Sequence, residues 1–528
     1  MRSSFSSLFF ILLFIFIVPA TAQDQASVPE KPVYPVFYPD FISENGTDYI
    51  HFQWRVDYPD YEKAILTDEK GTVLAELPFP EDTYIIPDRE TFSDKIYVTA
   101  ISKHGTASES LEIDLTRDYS PLLVKPESIE PVTVKQTPGQ PASFVLAKSG
   151  TPYVVNGVNY CVIRTMDHDA FEPATAEHAA VYDPFDAESM LRQMAINGYN
   201  TVRVFIKTGH RGTRMLGLSG PEDTRGICEP YMDNFIDFLS RAAKYGIHVF
   251  PCFCENEMLT NDYFRELSGN TNRQSILFSQ KGIEAKQLYM KLFLRYIRDK
   301  NPKLLDSLLG LAMQNEFAFY STNPPFSQLT GTYTFLDGRE YDMTNDDARH
   351  ALALAAIQNY YKAMKQTVEE EVPGLLVAEG TFALGAVGKT IENARGIRKI
   401  EGNPDQRFPM SAVELLKTDI DFLDFHIYRW GCPGSGKDVF DCFVTNMALN
   451  TEEGRALMQQ KPVIMGEYGS FNWEEKTIDE AIAFTRLLKD SALEWGFSGS
   501  CYWTIDCFEQ DFIWNLMWEN GKMLRALR

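Results

Sequence analysis

From about residue 151 the chain repeats one rhythm eight times, and that rhythm leaves few folds open. Apolar, β-branched runs ("GVNYCVIR", "YNTVRVFI", "IHVFPCF", "LLGLAMQNE", "LLVAEGTF", "DFLDFHIY", "PVIMGEYG" and "GSCYWTID") alternate with amphipathic stretches such as Phe185–Asn197, Met232–Tyr245, Lys281–Asp299, Ala348–Glu370 and Ile478–Trp495. Strand–helix alternation implies parallel pairing through right-handed crossovers. Eight such strands between residues 151 and 528 predict a (β/α)8 TIM barrel of the α/β class, with enlarged loops. No glycine fingerprint follows the first strand, which argues against a dinucleotide-binding open sheet.

Ahead of the barrel the pattern changes. Residues 24–117 carry short β-rich runs such as "DYIHFQWRV" and "KIYVTAIS", separated by turn signals including Glu69-Lys70-Gly71 and Lys103-His104-Gly105. They predict a small all-β sandwich, similar to a fibronectin type III module, with Trp54 in its core. The Pro-rich stretch 118–150 reads as an extended linker, and the module as a spacer more than a sugar binder. At the extreme N-terminus, "MRSSFSSLFFILLFIFIVPATAQD" predicts a signal peptide over 1–22, cleaved after Ala22. The expected product is exported, secreted or periplasmic, with no membrane insertion after cleavage. A net charge of −23 disfavours nucleic acid, whose backbone is held by Lys and Arg, and suits a neutral ligand. Eight cysteines are too few for a disulfide scaffold, although Cys432–Cys442 or Cys501–Cys507 could close loops. Cys252-Phe253-Cys254 has the wrong spacing for a metal clip, and no metal or cofactor is expected.

A barrel of this kind builds its active site at the C-terminal ends of its strands. Strand 2 ends near Arg203, strand 4 at Asn315-Glu316, strand 6 at His426-x-Tyr428, strand 7 at Glu467 and strand 8 at Trp503. Strands covered on both faces should be apolar, so each polar exception needs a cause. Retaining glycoside hydrolysis supplies one. It needs two carboxyl groups about 5–5.5 Å apart, one a nucleophile and one an acid/base. A cation and a hydroxyl, as at Arg203 and Tyr428, keep the nucleophile ionised, and an amide beside the acid holds the sugar 2-hydroxyl.

The motifs "TVRVF", "QNE", "HIY", "GEYG" and "YWTID", in this order on strands 2, 4, 6, 7 and 8, resemble the clan A glycoside hydrolases, and among them the family 5 cellulase-like group. The resemblance covers most of residues 151–528. It implies Glu316 as acid/base, Glu467 as nucleophile and Asn315 on the 2-hydroxyl. Arg203 and Tyr428 would flank the nucleophile, His426 would sit in the acid/base network, and Trp503 would floor the subsite at the scissile bond. One position departs from the pattern: Cys254 in "FPCFCENE" stands roughly where the family carries a histidine after strand 3.

The bland alternative for the two glutamates is a pair of salt-bridged rim carboxylates, and for His426 a satisfied core histidine. Trp430, Trp473 and Trp514 follow strands 6, 7 and 8 and are candidate platforms for sugar faces, or loop packing. The expected substrate is a neutral β-linked polysaccharide or oligosaccharide, β-glucan or β-mannan, cleaved internally. The alternatives are an exo-acting β-glycosidase of the same clan and a catalytically silent carbohydrate-binding barrel. Insertions at Phe317–Asp346 and Leu384–Pro409 could wall off one end of a cleft.

Overall fold

The computed structural model describes residues 33–55, 58–90, 92–125, 128–160, 170–174, 181–206, 226–253, 262–269, 272–430, 432–507, 510 and 512–528. The predicted signal segment, Cys161, and Cys254 with the loop after it lie outside the described residues. Among those described, no helix is long and apolar enough to cross a membrane.

Eight parallel strands close into a barrel. In chain order they are Val155–Tyr160, Thr201–Ile206, His248–Phe253, Leu311–Ala312, Val377–Phe382, Phe422–Ile427, Val463–Tyr468 and Gly499–Tyr502. The last pairs with the first, Val155 opposite Gly499 through Val158 opposite Tyr502, so no edge is left open. The five anticipated helices form within two or three residues of their expected bounds, and Ile478–Trp495 matches to the residue. That last helix has reciprocal caps: the Thr477 side chain accepts from the Glu480 amide, and the Glu480 side chain accepts from the Thr477 amide.

Residues 37–114 form two antiparallel sheets. One contains Phe37–Glu44, Thr47–Gln53 and Thr83–Ile85; the other contains Val73–Pro78, Tyr61–Asp68, Lys95–Ser102 and Leu111–Asp114. Burial alternates strictly along Lys95–Ser102, the signature of a strand with one face on a core. Phe52, Trp54, Tyr61, Leu66 and Val98 fill the space between the sheets. Trp54 is buried, and its indole N–H donates to the Glu81 carbonyl at 2.9 Å.

Two features differ from the sequence reading. The stretch 118–150 is not simply extended: Val132–Lys135 and Ser143–Leu146 pair with Pro152–Tyr153 in a three-stranded antiparallel sheet. Val132, Phe144 and Tyr153 pack against Phe250, Ala312 and Phe422 of the barrel interior, with the Phe144 and Phe422 rings edge to face at 5.2 Å. The Tyr153 hydroxyl lies 2.7 Å from Thr201 Oγ1, where strand 2 begins. This sheet plugs the N-terminal face of the barrel, opposite the mouth. The sandwich, in turn, is docked. Arg192 on the first barrel helix donates to Asp40 Oδ2 at 2.7 Å and to the Phe41 carbonyl at 2.8 Å. His51 Nε2 lies 2.8 Å from Asp186 Oδ1, and Gln53 donates to Asp186 Oδ2.

The two long insertions are joined. Phe319–Tyr320 pairs antiparallel with Arg407–Phe408. The fully buried Arg349 guanidinium bonds carbonyls of both, Phe326 at 2.7 Å in one and Gly396 at 2.6 Å in the other.

Candidate active site

Parallel strands point their C-terminal ends one way, so the side chains gathered at the mouth are set by strand parity. Asp424 and His426 sit at i and i+2 of strand 6, with Tyr428 at i+4 just past its end, and the alternation turns all three inward. His426 pairs in register with Glu467 on strand 7. Asn315 and Glu316 lie just past the short fourth strand, between Gln314 and Phe317, which both bond Gly380 of strand 5. Gly380 on strand 5 permits this: a Cβ there would come within 1.8 Å of the Asn315 carbonyl oxygen.

Arg203 is the hub. It is fully buried, and its Nε donates to Asp424 Oδ2 at 3.0 Å. Nη1 donates to Glu467 Oε1 at 2.9 Å and to Asn159 Oδ1 at 3.0 Å. Nη2 donates to Asn315 Oδ1 at 2.9 Å and lies 3.3 Å from the Cys252 sulfur. The Tyr428 hydroxyl donates to Glu467 Oε2 at 2.9 Å. Both oxygens of Glu467 thus accept from a donor, an arrangement that favours the ionised form.

Glu316 differs from Glu467 in its surroundings. Its side chain is 26% exposed, against 6% for Glu467, so it is the carboxyl that faces the cleft. Its Oε1 lies 3.1 Å from His426 Nδ1, which is also 3.5 Å from Glu467 Oε2. One oxygen of each glutamate and a nitrogen of His426 lie within 4.8 Å of one another.

The charges set where protons rest. Burial opposes charge on His426, but the Glu467, Asp424 and Glu316 carboxylates around it outweigh burial and raise it to about 10. Burial pushes the Glu316 carboxyl up, but the hydrogen bond and charge of His426, with Arg407 and Arg203 beyond, hold it below the ordinary carboxylate value. Glu467 is held above that value, chiefly by burial and by the Glu316 and Asp424 charges, against the pull of His426 and Arg203. Taken alone, that order is the reverse of a protonated Glu316 beside an ionised Glu467. The hydrogen bonds act against that order at Glu467: Arg203 and Tyr428 both donate to it, which favours its carboxylate, while Glu316 has His426 Nδ1 at 3.1 Å.

Three acid and imidazole ligands this close are also the kind that hold a cation. Their donor state argues otherwise. Both Glu467 oxygens are taken by Arg203 and Tyr428, and His426 Nδ1 is already engaged with Glu316 Oε1 at 3.1 Å. Burial pushes the nearby Cys252 thiol well up, away from the thiolate a metal requires.

Of the sequence candidates, Arg203, Asn315, Glu316, His426, Tyr428 and Glu467 come together in one pocket. Trp503 stands beside it, half-buried, edge to face with Phe205 at 5.8 Å and Trp514 at 6.0 Å. Trp430 and Trp473 are exposed rim residues, each stacked on Phe471, at 5.0 Å and 4.4 Å between centroids. Phe471 also meets Tyr428 at 5.5 Å, which ties this aromatic ridge to the pocket. Trp514 sits behind the ridge, its indole N–H donating to the Ser470 carbonyl at 3.1 Å. Sequence reasoning missed Asp424, Asn159 and Cys252. The spacing of Asp424, His426 and Tyr428 on alternate positions was the signal for the first. Cys432, two residues after Trp430, forms a disulfide with Cys442, whereas Cys501 is a buried free thiol and is not bridged to Cys507.

No protein-family model matches the sequence, and no curated protein matches it. Solved structures do resemble it. An endo-1,4-β-mannanase from Rhizomucor miehei is 17% identical over 72% of this chain and 93% of its own, with a TM-score of 0.46. An endo-β-1,4-mannanase from Thermotoga petrophila is 15% identical over 67% and 68%, with a TM-score of 0.43. A β-1,4-D-mannanase from Cryptopygus antarcticus is 14% identical over 75% and 94%, with a TM-score of 0.42. Likenesses this distant say nothing about substrate or reaction.

Proposed function

We propose that the protein is an exported, retaining glycoside hydrolase acting on a neutral β-linked glucan or mannan. The observation that carries the reading is the approach of the Glu316 and Glu467 carboxylate oxygens, within 4.8 Å, with Arg203 and Tyr428 on Glu467 and His426 on Glu316. A retaining pair stands about 5–5.5 Å apart, and an inverting pair needs about 6.5–9.5 Å to seat a water. In the first step Glu467 attacks the anomeric carbon as the glycosidic C–O bond breaks. The His426–Glu316 pair gives its one proton to the departing oxygen through Glu316. In the second step the pair takes a proton from water, whose oxygen displaces Glu467. Asn315, held by Arg203, is oriented to meet the sugar 2-hydroxyl, a bond that strengthens in the transition state. Trp503 would floor the reacting sugar, and Trp430 and Trp473 would stack on its neighbours. The 3 + 4 strand division of residues 37–114 supports the fibronectin type III-like reading of that module.

A second reading, exo action on chain ends, is favoured by one observation. The two insertions pair beside Glu316 and form a single rim on the strand 4 and strand 5 side. Incubation with barley β-glucan, mannan and a panel of dinitrophenyl β-glycosides tests both. Hydrolysis with the β-anomer as first product is expected. A ladder of oligosaccharides from polymer marks internal cleavage, whereas one small product from the outset marks exo action. An initial α-anomer, or no hydrolysis of any substrate, would contradict the proposal.

A further inference from the structure

The buried carboxylate of Asp424 is not used in the reaction scheme above. It lies two residues before His426 on strand 6, fully buried. Its Oδ2 accepts from Arg203 Nε at 3.0 Å. Its Oδ1 has no hydrogen-bond partner and stands 3.5 Å from His426 Nε2. The site is shaped for it: a Cβ on Gly466 of strand 7 would come within 1.5 Å of Oδ1, so only glycine there admits the carboxylate. A bare buried carboxylate oxygen is costly unless a cation faces it. Two positive groups do. Arg203 is already shared among Asp424, Asn159, Asn315 and Glu467. His426 is the other.

The two sides of the His426 ring therefore differ. Nδ1 looks outward at Glu316 (3.1 Å), while Nε2 looks inward, 3.5 Å from Asp424 and 3.3 Å from Arg203 Nη2. A neutral ring with its proton on Nδ1 would let Nε2 accept from Arg203 Nη2 at 3.3 Å, but would leave Oδ1 of Asp424 facing no proton. A ring with a proton on Nε2 sets a positive charge 3.5 Å from Oδ1 and leaves Nδ1 to exchange a proton with Glu316. We propose that Asp424 is a positioning residue that keeps a proton on His426 Nε2, so that Nδ1 serves as the proton reserve for Glu316. In the forward step the Nδ1 proton passes to Glu316 and on to the leaving-group oxygen, and the ring becomes neutral with Nε2–H still on Asp424. In the second step the proton taken from water returns to Nδ1. Charge and proton count are restored after one turnover. The groups facing His426 are Glu316, Glu467, Asp424 and Arg203, from strands 4, 7, 6 and 2.

This inference rests on the proposed hydrolase reading, and leaving-group dependence separates the two. A group that only pairs with Arg203 would, on removal, disturb Glu467 and slow every substrate alike. A group that serves proton donation matters only where the leaving group needs a proton. Asp424→Asn is therefore expected to lower kcat/KM by about 10²-fold on unactivated oligosaccharides and by less than about 3-fold on the matching 2,4-dinitrophenyl glycoside. Its alkaline limb in the pH profile on the unactivated substrate should move to lower pH. Equal losses on both substrates would overturn the inference while leaving the hydrolase reading standing. A wild-type protein that hydrolyses nothing would overturn the hydrolase reading itself. Should the variant fold poorly, histidine 15N spectra of the wild type decide the question, with His426 identified by its loss in His426→Gln. Both ring nitrogens protonated at pH 7 is the expected result, and a neutral ring with its proton on Nδ1 would overturn the inference.

Discussion

Glu467→Gln is expected to lower kcat by roughly four to six orders of magnitude, the loss seen when a covalent nucleophile is removed. The substitution is nearly isosteric, and Arg203 keeps Asp424, Asn159 and Asn315 as partners. The barrel should therefore stay folded, as circular dichroism and a melting curve would check. What is lost is the anion that attacks carbon, which an amide cannot replace. Glu316→Gln should behave differently. The unactivated substrate suffers most, while a dinitrophenyl glycoside is still attacked by Glu467 and releases its phenol. With that variant, added azide should speed release of the sugar, because the second step no longer has a base to activate water. Retention of more than about a hundredth of wild-type turnover by Glu467→Gln would be incompatible with a nucleophilic role.

Arg192→Ala carries the second large effect, on stability. The Arg192 side chain is 8% exposed and its partner Asp40 4%, and the same guanidinium reaches the Phe41 carbonyl and, at 3.5 Å, Glu188. Arg241 and Lys244 also converge on Glu188, so that carboxylate keeps partners, but Asp40 is left with its own neighbouring amide at Phe41. Breaking one side of a buried ion pair costs about 3–5 kcal/mol, because the other charge stays out of water. Urea unfolding should show a loss of that size, with the sandwich loosening from the first barrel helix. A change below about 1 kcal/mol, the range of an exposed pair, would mean that the two parts do not depend on this contact. The mutation lies far from the mouth, so initial rates at 25 °C should change little.

The barrel was legible because its signal is periodic. Runs such as Thr201–Ile206 and Phe422–Ile427 are mostly apolar and buried along almost their whole length, as strands between a core and a helix layer must be. Reading their last residues found six of the pocket's side chains. Strand 4 shows the limit of that method. The apolar run 308–316 promised a full strand, yet only Leu311–Ala312 pairs as one, because past it the bonds to strand 5 become irregular, running through Met313, Gln314 and Phe317, where Asn315 and Glu316 enter the mouth. Asp424 escaped notice because it lies two positions before His426, inside a segment that otherwise reads as buried core. The plug was missed for another reason. Its strands are two to four residues long and embedded among prolines, so turn signals outweighed a short alternation. The docking network could not be read at all: Asp40 and Arg192 are ordinary surface residues in sequence, and only the fold brings them together.

The central claim is a covalent bond between Glu467 and the anomeric carbon, and trapping that bond tests it most directly. The protein is incubated with the 2-deoxy-2-fluoro dinitrophenyl β-glycoside of whichever sugar it hydrolyses, then digested and mapped by mass spectrometry. The expected result is one added fluorosugar on the peptide containing Glu467, with activity lost in step. A label on any other residue, or hydrolysis that continues with the enzyme unlabelled, would contradict the account.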